Sequence, residues 1–125
     1  MNWREAEATL DTFPAFAQLP VNASRTEKSY TSGYSTPNGR HIVLERRGDS
    51  ELARMFFELP FDFESLGLSA ATVVKVYGAT EKRVDIGRAS KRLAIGNPAV
   101  CVKVATSTDL SKIMASESVA LTPSS

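Results

Sequence analysis

A chain of 125 residues, 42% apolar and 23% charged, fits one globular domain and has no room for two ordinary cores. Fifteen basic against fourteen acidic residues leave a net charge of +1, so no generic attraction to nucleic acid or anionic lipid follows from the whole-molecule field. One cysteine excludes an intrachain disulfide and leaves a cysteine-rich zinc site without its ligands, which fits a reducing compartment.

The first residues, Met1 to Glu7, carry two carboxylates where a secretion signal needs a basic start and an apolar run. No apolar stretch approaches the ~20 residues that cross a bilayer. The expectation is therefore a soluble, cytoplasmic protein (or a virion component, if it is structural) with no membrane partner. The sequon Asn22-Ala23-Ser24 matters only on a secretory route.

Trp3, Ala6, Leu10 and Phe13 follow helical spacing, and Pro14 ends that helix. Residues 17–28 read as connection, with Pro20, Asn22 and Ser24 as turn formers. Ser29 to Thr36 is rich in strand formers, Pro37-Asn38-Gly39 supplies a tight turn, and Arg40 to Arg47 returns as a strand. Alternation puts Ile42 and Leu44 on one face of that strand and His41, Val43 and Glu45 on the other. Gly33 inside the first strand points to a bulge or a close backbone approach.

Asp49 or Ser50 can cap a helix to Leu59, with Leu52, Met55, Phe56 and Leu59 at i, i+3, i+4 and i+7 and Pro60 as its stop. The run Arg54 to Phe61 also satisfies a buried strand; the cap and the spacing favour the helix. Asp62 to Leu68 reads as a short turn or helix ending at Gly67. Ala71 to Tyr77 and Ala99 to Ala105 read as strands, the first with Val74 and Val76 inward, the second with Val100, Val102 and Val104 on one face. The two Val-Lys-Val runs at 74–76 and 102–104 have unlike flanks and are not a repeat. Residues 79–98, with Gly87, Gly96 and Pro98, form a ribbon or long loop around Arg83-Val84-Asp85-Ile86. Thr108 or Asp109 caps a last short helix with Leu110, Ile113 and Met114 inward. The fold class is α+β, a mostly antiparallel sheet of four to five strands with two or three short helices. Residues 1–115 make the single domain, and 116–125 a flexible tail.

The inventory is poor in catalytic parts. His41 is the only histidine and follows a hairpin turn, so it reads as a surface or half-buried strand residue. Cys101 alternates with valines and reads as a buried, inert thiol. Asp62 with Glu64, and Asp49 with Glu51, are paired carboxylates, yet the strand lysines Lys75 and Lys103 follow Val73 and Cys101 where a metal-dependent nuclease needs an acid. Asp49 and Glu51 suit a helix N-terminus instead. Neither glycine-rich phosphate-loop pattern occurs. Arg47-Gly48-Asp49 spells an adhesion tripeptide but reads as strand end, turn and cap. No catalytic residue, metal ligand or cofactor is expected.

One charge feature stands out. Lys82, Arg83, Arg88, Lys91 and Arg92 place five cations in eleven positions, with Asp85 the only acid among them. Such a ribbon can contact phosphates in a salt-dependent, sequence-tolerant way. Arg40, Arg46 and Arg47 lie on the hairpin, with Tyr30 and Tyr34 across from them as stacking surfaces. The leading expectation is a non-catalytic binding module associated with RNA or DNA, as in small accessory proteins of bacteria or mobile elements. The alternative is a self-associating structural subunit, such as a viral or phage coat or accessory protein. The last strand, passing through Thr106 to Asp109 into a short helix, resembles that part of small RNA-phage coat proteins. The chain lacks their pair of helices, and no family follows. An enzyme built from Tyr, Asp or Arg has the least support.

Overall fold

The Pro-Asn-Gly signal builds the hairpin from which the sheet grows. In the computed structural model, which describes residues 1–46, 52–59, 61, 64–68, 72–78, 80–81, 90–93 and 96–118, strand β2 is Thr31–Ser35 and strand β3 is His41–Glu45. The Gly39 N–H donates to the Thr36 carbonyl at 2.9 Å, and the Thr36 N–H to the Arg40 carbonyl at 2.9 Å. Gly39, not Asn38, takes the left-handed angle (φ 79°), as in a turn closed by a glycine bulge.

Ahead of the hairpin, helix α1 (Trp3–Thr12) begins at Asn2, whose Oδ1 accepts the Glu5 N–H at 2.9 Å. It buries Trp3, Ala6 and Leu10, as their spacing requires, and stops two residues before Pro14. A two-residue strand β1 (Ala17–Gln18) pairs with the end of β2, and a 3₁₀ turn, Pro20–Ser24, follows.

The expected helix over 51–59 is a strand, β4 (Ala53–Glu58). Met55, Phe56 and Phe57 are all buried. Three consecutive large apolar residues cannot share one helical stripe, but a central strand covered on both faces needs such a run. The capping candidates Asp49 and Ser50, and the Arg47-Gly48-Asp49 tripeptide, lie outside the described residues.

Strands β5 (Thr72–Tyr77) and β6 (Ala99–Val104) complete a sheet of order β1-β2-β3-β4-β6-β5, every pairing antiparallel. With helix α2 (Ser107–Glu117) this is an α+β fold with six described strands and two helices, one strand more than expected. The 3₁₀ turn Glu64–Leu66 ends at Gly67 (φ 63°), as the sequence suggested.

Both helices pack on one face of the sheet. There Trp3, Ala6, Leu10, Leu110, Ile113 and Met114 meet Tyr34, Ile42, Leu44, Met55, Phe57 and Val100, Val102 and Val104. The other face carries a smaller cluster of Val43, Phe56, Leu93, Ala99 and Cys101, with Val21 and Tyr77 at its margin.

Three details of the outer elements differ from expectation. Val74 and Val76 are 43% and 54% exposed rather than inward. A register shift between Val73 and Lys75 breaks the alternation there, and β5 lies at an edge of the described sheet. Helix α2 is capped by Thr106, whose Oγ1 accepts the Asp109 N–H at 3.2 Å, so Thr108 and Asp109 lie inside its first turn. The helix also continues through Ser116 and Glu117, past the boundary expected at 115. Residues 119–125 lie outside the described residues.

The close approach foreseen at Gly33 is real. A Cβ there would stand 2.7 Å from Leu19 Cδ1. Against this bare backbone the Asn22 side chain pairs like a peptide unit: its Nδ2 donates to the Gly33 carbonyl and its Oδ1 accepts the Gly33 N–H, both at 2.8 Å. Asn22 is buried, so its loss strands a polar backbone group away from water. Asn22→Ala is expected to destabilise the fold by about 2 kcal/mol, measured by urea unfolding.

Candidate functional site

Glu58 ends strand β4, where the apolar run gives way, and three chain segments meet on it. Its Oε1 accepts from Arg92 Nε at 2.9 Å and its Oε2 from the His41 N–H at 2.5 Å, while its backbone carbonyl accepts from Arg40 Nη2. The cross-strand ladder explains the convergence. Glu58 pairs with Ala99 across β4 and β6, and the β2–β3 turn delivers Arg40 and His41 to the same end of the sheet.

The stretch that carries Arg92 is fastened at three points. Leu93 is fully buried on the smaller apolar cluster, Arg92 holds Glu58, and Ser90 Oγ lies 2.7 Å from His41 Nδ1. A serine within reach of the only histidine, 49 positions away, leaves no mark in the sequence. The pair is not arranged for nucleophilic catalysis. Ser90 is 4% exposed, and the Glu58 carboxylate meets backbone rather than the ring. Burial, followed by the neighbouring Arg92, holds the imidazole below its ordinary pKa against the opposing pull of Glu58.

Beside this junction lies a cleft of about 390 Å³ lined by Glu58, Leu59, Arg92, Asn97 and Pro98. The Glu58 side chain is 15% exposed and that of Arg92 51%. Gly96, at φ 110°, allows the sharp turn that brings Asn97 and Pro98 to the rim. A second cleft, about 240 Å³, lies against α2 and includes Asn38, Arg40, Phe61 and Glu117. Buried Glu117 is held there by Asn38 Nδ2 at 2.7 Å and Arg40 Nε at 3.7 Å.

The nine residues singled out in the sequence therefore divide. Arg40 and Arg92 come together on Glu58, and Lys91 begins the 3₁₀ turn Lys91–Leu93 beside them. Lys82, Arg83 and Arg88 lie outside the described residues, as does Asp85. Tyr30 and Arg46 stand at the far end of the hairpin; Tyr30 is 62% exposed. Tyr34 presents no stacking face, being wholly buried with its hydroxyl 2.6 Å from Asp11 Oδ1.

Arg46 is likewise turned inward. Its Nε meets Glu7 Oε2 at 2.6 Å, its Nη1 donates to the Thr26 and Ser29 carbonyls, and its guanidinium lies 4.8 Å from the Trp3 ring centre. Glu7 and Asp11, one helical turn apart on α1, also bind Arg25, and Ser32 donates to Glu7 at 2.5 Å. These charges satisfy one another and clamp α1 to the hairpin. Cys101 is buried, and burial pushes its thiol up to about 11, which disfavours the thiolate. Among the described residues no group of three or more His, Cys, Asp or Glu could hold a metal ion, and no helix is long and apolar enough to cross a membrane.

Comparison with protein-family models, curated proteins and solved structures yields no match to this chain. The reading of the site therefore rests on its geometry.

Burial, then the hydrogen bond to Asp11, raises the Tyr34 phenol above its ordinary pKa of 10.0. An unfolded tyrosine ionises near 10 while the folded one stays protonated, so this contribution is full below that pH and is lost as pH rises above it. Tyr34→Phe should be less stable than the parent at pH ~8, by about 1 kcal/mol, and should lose less stability between pH ~8 and ~11, measured by urea unfolding.

Proposed function

We propose that this chain is a non-catalytic binding module that holds nucleic acid through the basic segment 82–92. The observation that carries the reading is the placement of Arg92. The last cation of the segment is half-exposed at the mouth of a cleft, on a stretch anchored to the sheet by Leu93, Ser90 and Arg92 itself. Arg92, held in place by these anchors, has less freedom to lose on binding. Arg25 and Arg46, by contrast, are committed to Glu7 and Asp11 and have little left to offer a phosphate. The nearly neutral molecule would then bind through local charge density, with the salt dependence that phosphate contacts impose.

A second reading, a self-associating structural subunit, draws on Val74 and Val76. These apolar side chains stand exposed on β5, at an edge of the described sheet. Light scattering separates the two, because a large homogeneous particle without nucleic acid favours the subunit.

Fluorescence anisotropy with short single- and double-stranded RNA and DNA tests the module. The logarithm of affinity should fall linearly with the logarithm of salt, with a slope of roughly −3 for single strands if most of the five cations engage. Joint replacement of Lys82, Arg83, Lys91 and Arg92 by Ala should lower affinity more than tenfold at low salt, by roughly the same factor for every sequence. Binding unaffected by salt or by these substitutions sinks the reading.

A further inference from the structure

The sheet face turned away from the helices carries a pair of like charges that works against the fold. In the β4–β6 ladder Arg54 stands directly opposite Lys103. Their strand neighbours Ala53, Met55, Val102 and Val104 belong to the helix-covered core, so alternation turns both cations to the face of Phe56 and Cys101. The Cys101 thiol lies in the field of both, as side chains on one face require. Opposed side chains have Cβ atoms about 5 Å apart, and like charges so placed oppose folding. Other cations of the sheet and its margins are matched: Lys75 meets Glu81 at 3.2 Å, Arg92 meets Glu58 at 2.9 Å and Arg46 meets Glu7 at 2.6 Å. Among the described residues, the side chains of Arg54 and Lys103 have neither an ion pair nor a hydrogen bond. Glu45, whose charge also reaches Cys101, does not join them; its Oε2 is enclosed and accepts no hydrogen bond. Arg54 is exposed and Lys103 half-buried, above a floor that includes buried Phe56 and Cys101.

We infer that Arg54 and Lys103 hold phosphates of a nucleic-acid backbone on this face, so that the sheet itself, and not only the basic segment, engages the strand. The two side chains suit the task in different ways. The guanidinium donates to two phosphate oxygens side by side, and the ammonium adds a compact charge at the next strand. An apolar floor strengthens the field above it, because little water is available there to screen the charges. A phosphate also removes the repulsion between the pair, which no acid of the described chain does. The contact reads no base, so it serves RNA and DNA alike. The inference rests on the nucleic-acid reading above and adds to it two residues outside the basic segment.

The test compares three forms of the full chain by anisotropy with a short oligouridine across a range of salt. One is the parent, one carries Arg54→Thr with Lys103→Thr, and one carries Arg4→Gln with Lys112→Gln. The last pair removes the same charge from the exposed surfaces of α1 and α2, the helices that cover the opposite face. The threonine variant should bind roughly tenfold more weakly at low salt, with a salt slope shallower by about 1, while the glutamine variant stays close to the parent. Threonine suits a strand, and its substitution relieves the like-charge rung, so the threonine variant should melt at or above the parent's temperature. A lower melting temperature would show that the two cations serve the fold, and overturns the inference. Equal losses in both variants would reflect net charge alone and overturn it too. Binding that is insensitive to Arg54→Thr with Lys103→Thr but lost on replacing Lys82, Arg83, Lys91 and Arg92 overturns the inference and leaves the module standing. The reverse pattern supports the sheet contact and sinks the assignment to the basic segment. No binding by the parent overturns both.

Discussion

A strand in the middle of a sheet covered on both sides must bury every side chain it carries, and β4 answers that demand with Met55, Phe56 and Phe57 in succession. Each such side chain contributes about 2–3 kcal/mol relative to exposure, so a sheet of modest size is held largely from its centre outward. Helices α1 and α2 cover the face of Met55 and Phe57. The face of Phe56 is buried too, and among the described residues Leu93 and Val21 pack on it.

The polar groups follow the same division. On the helical side, Glu7, Asp11, Arg25, Arg46, Ser32 and Tyr34 satisfy each other and fix α1 across the hairpin. At the end of β4, Glu58 gathers Arg40, His41 and Arg92 beside a cleft. A paired network of this kind rigidifies the fold.

The α+β class, the Pro-Asn-Gly hairpin, the close approach at Gly33, the valine strand around Cys101 and the inward faces of both helices were all legible in the sequence. Each depends on local chemistry: turn geometry, period-two alternation or helical spacing. The identity of 51–59 was not, because the competing helical spacing in that run is lost only when two sheet faces are seen to need its neighbours. Val74 and Val76 were misplaced by a bulge that no residue type announces. Of the candidate site, the basic segment and the hairpin arginines could be picked out by charge. Their division between inward pairs and the sheet end depended on partners such as Glu7 and Glu58, which lie 39 positions from Arg46 and 34 from Arg92. Nothing in the sequence marked Glu58 itself, a single acid closing an apolar run.

The strand order has a cost in time. β6 lies between β4 and β5, so the open side of β4 stays without its partner until residues 99–104 have left the ribosome. Through that interval the nascent chain displays Phe56 and Phe57 beside a row of unpaired peptide groups, the conditions under which neighbouring polysomal chains pair with each other. Closing the loop from β4 to β6 is an entropic cost met before the ladder rewards it, which places this domain among the slower folders of its size.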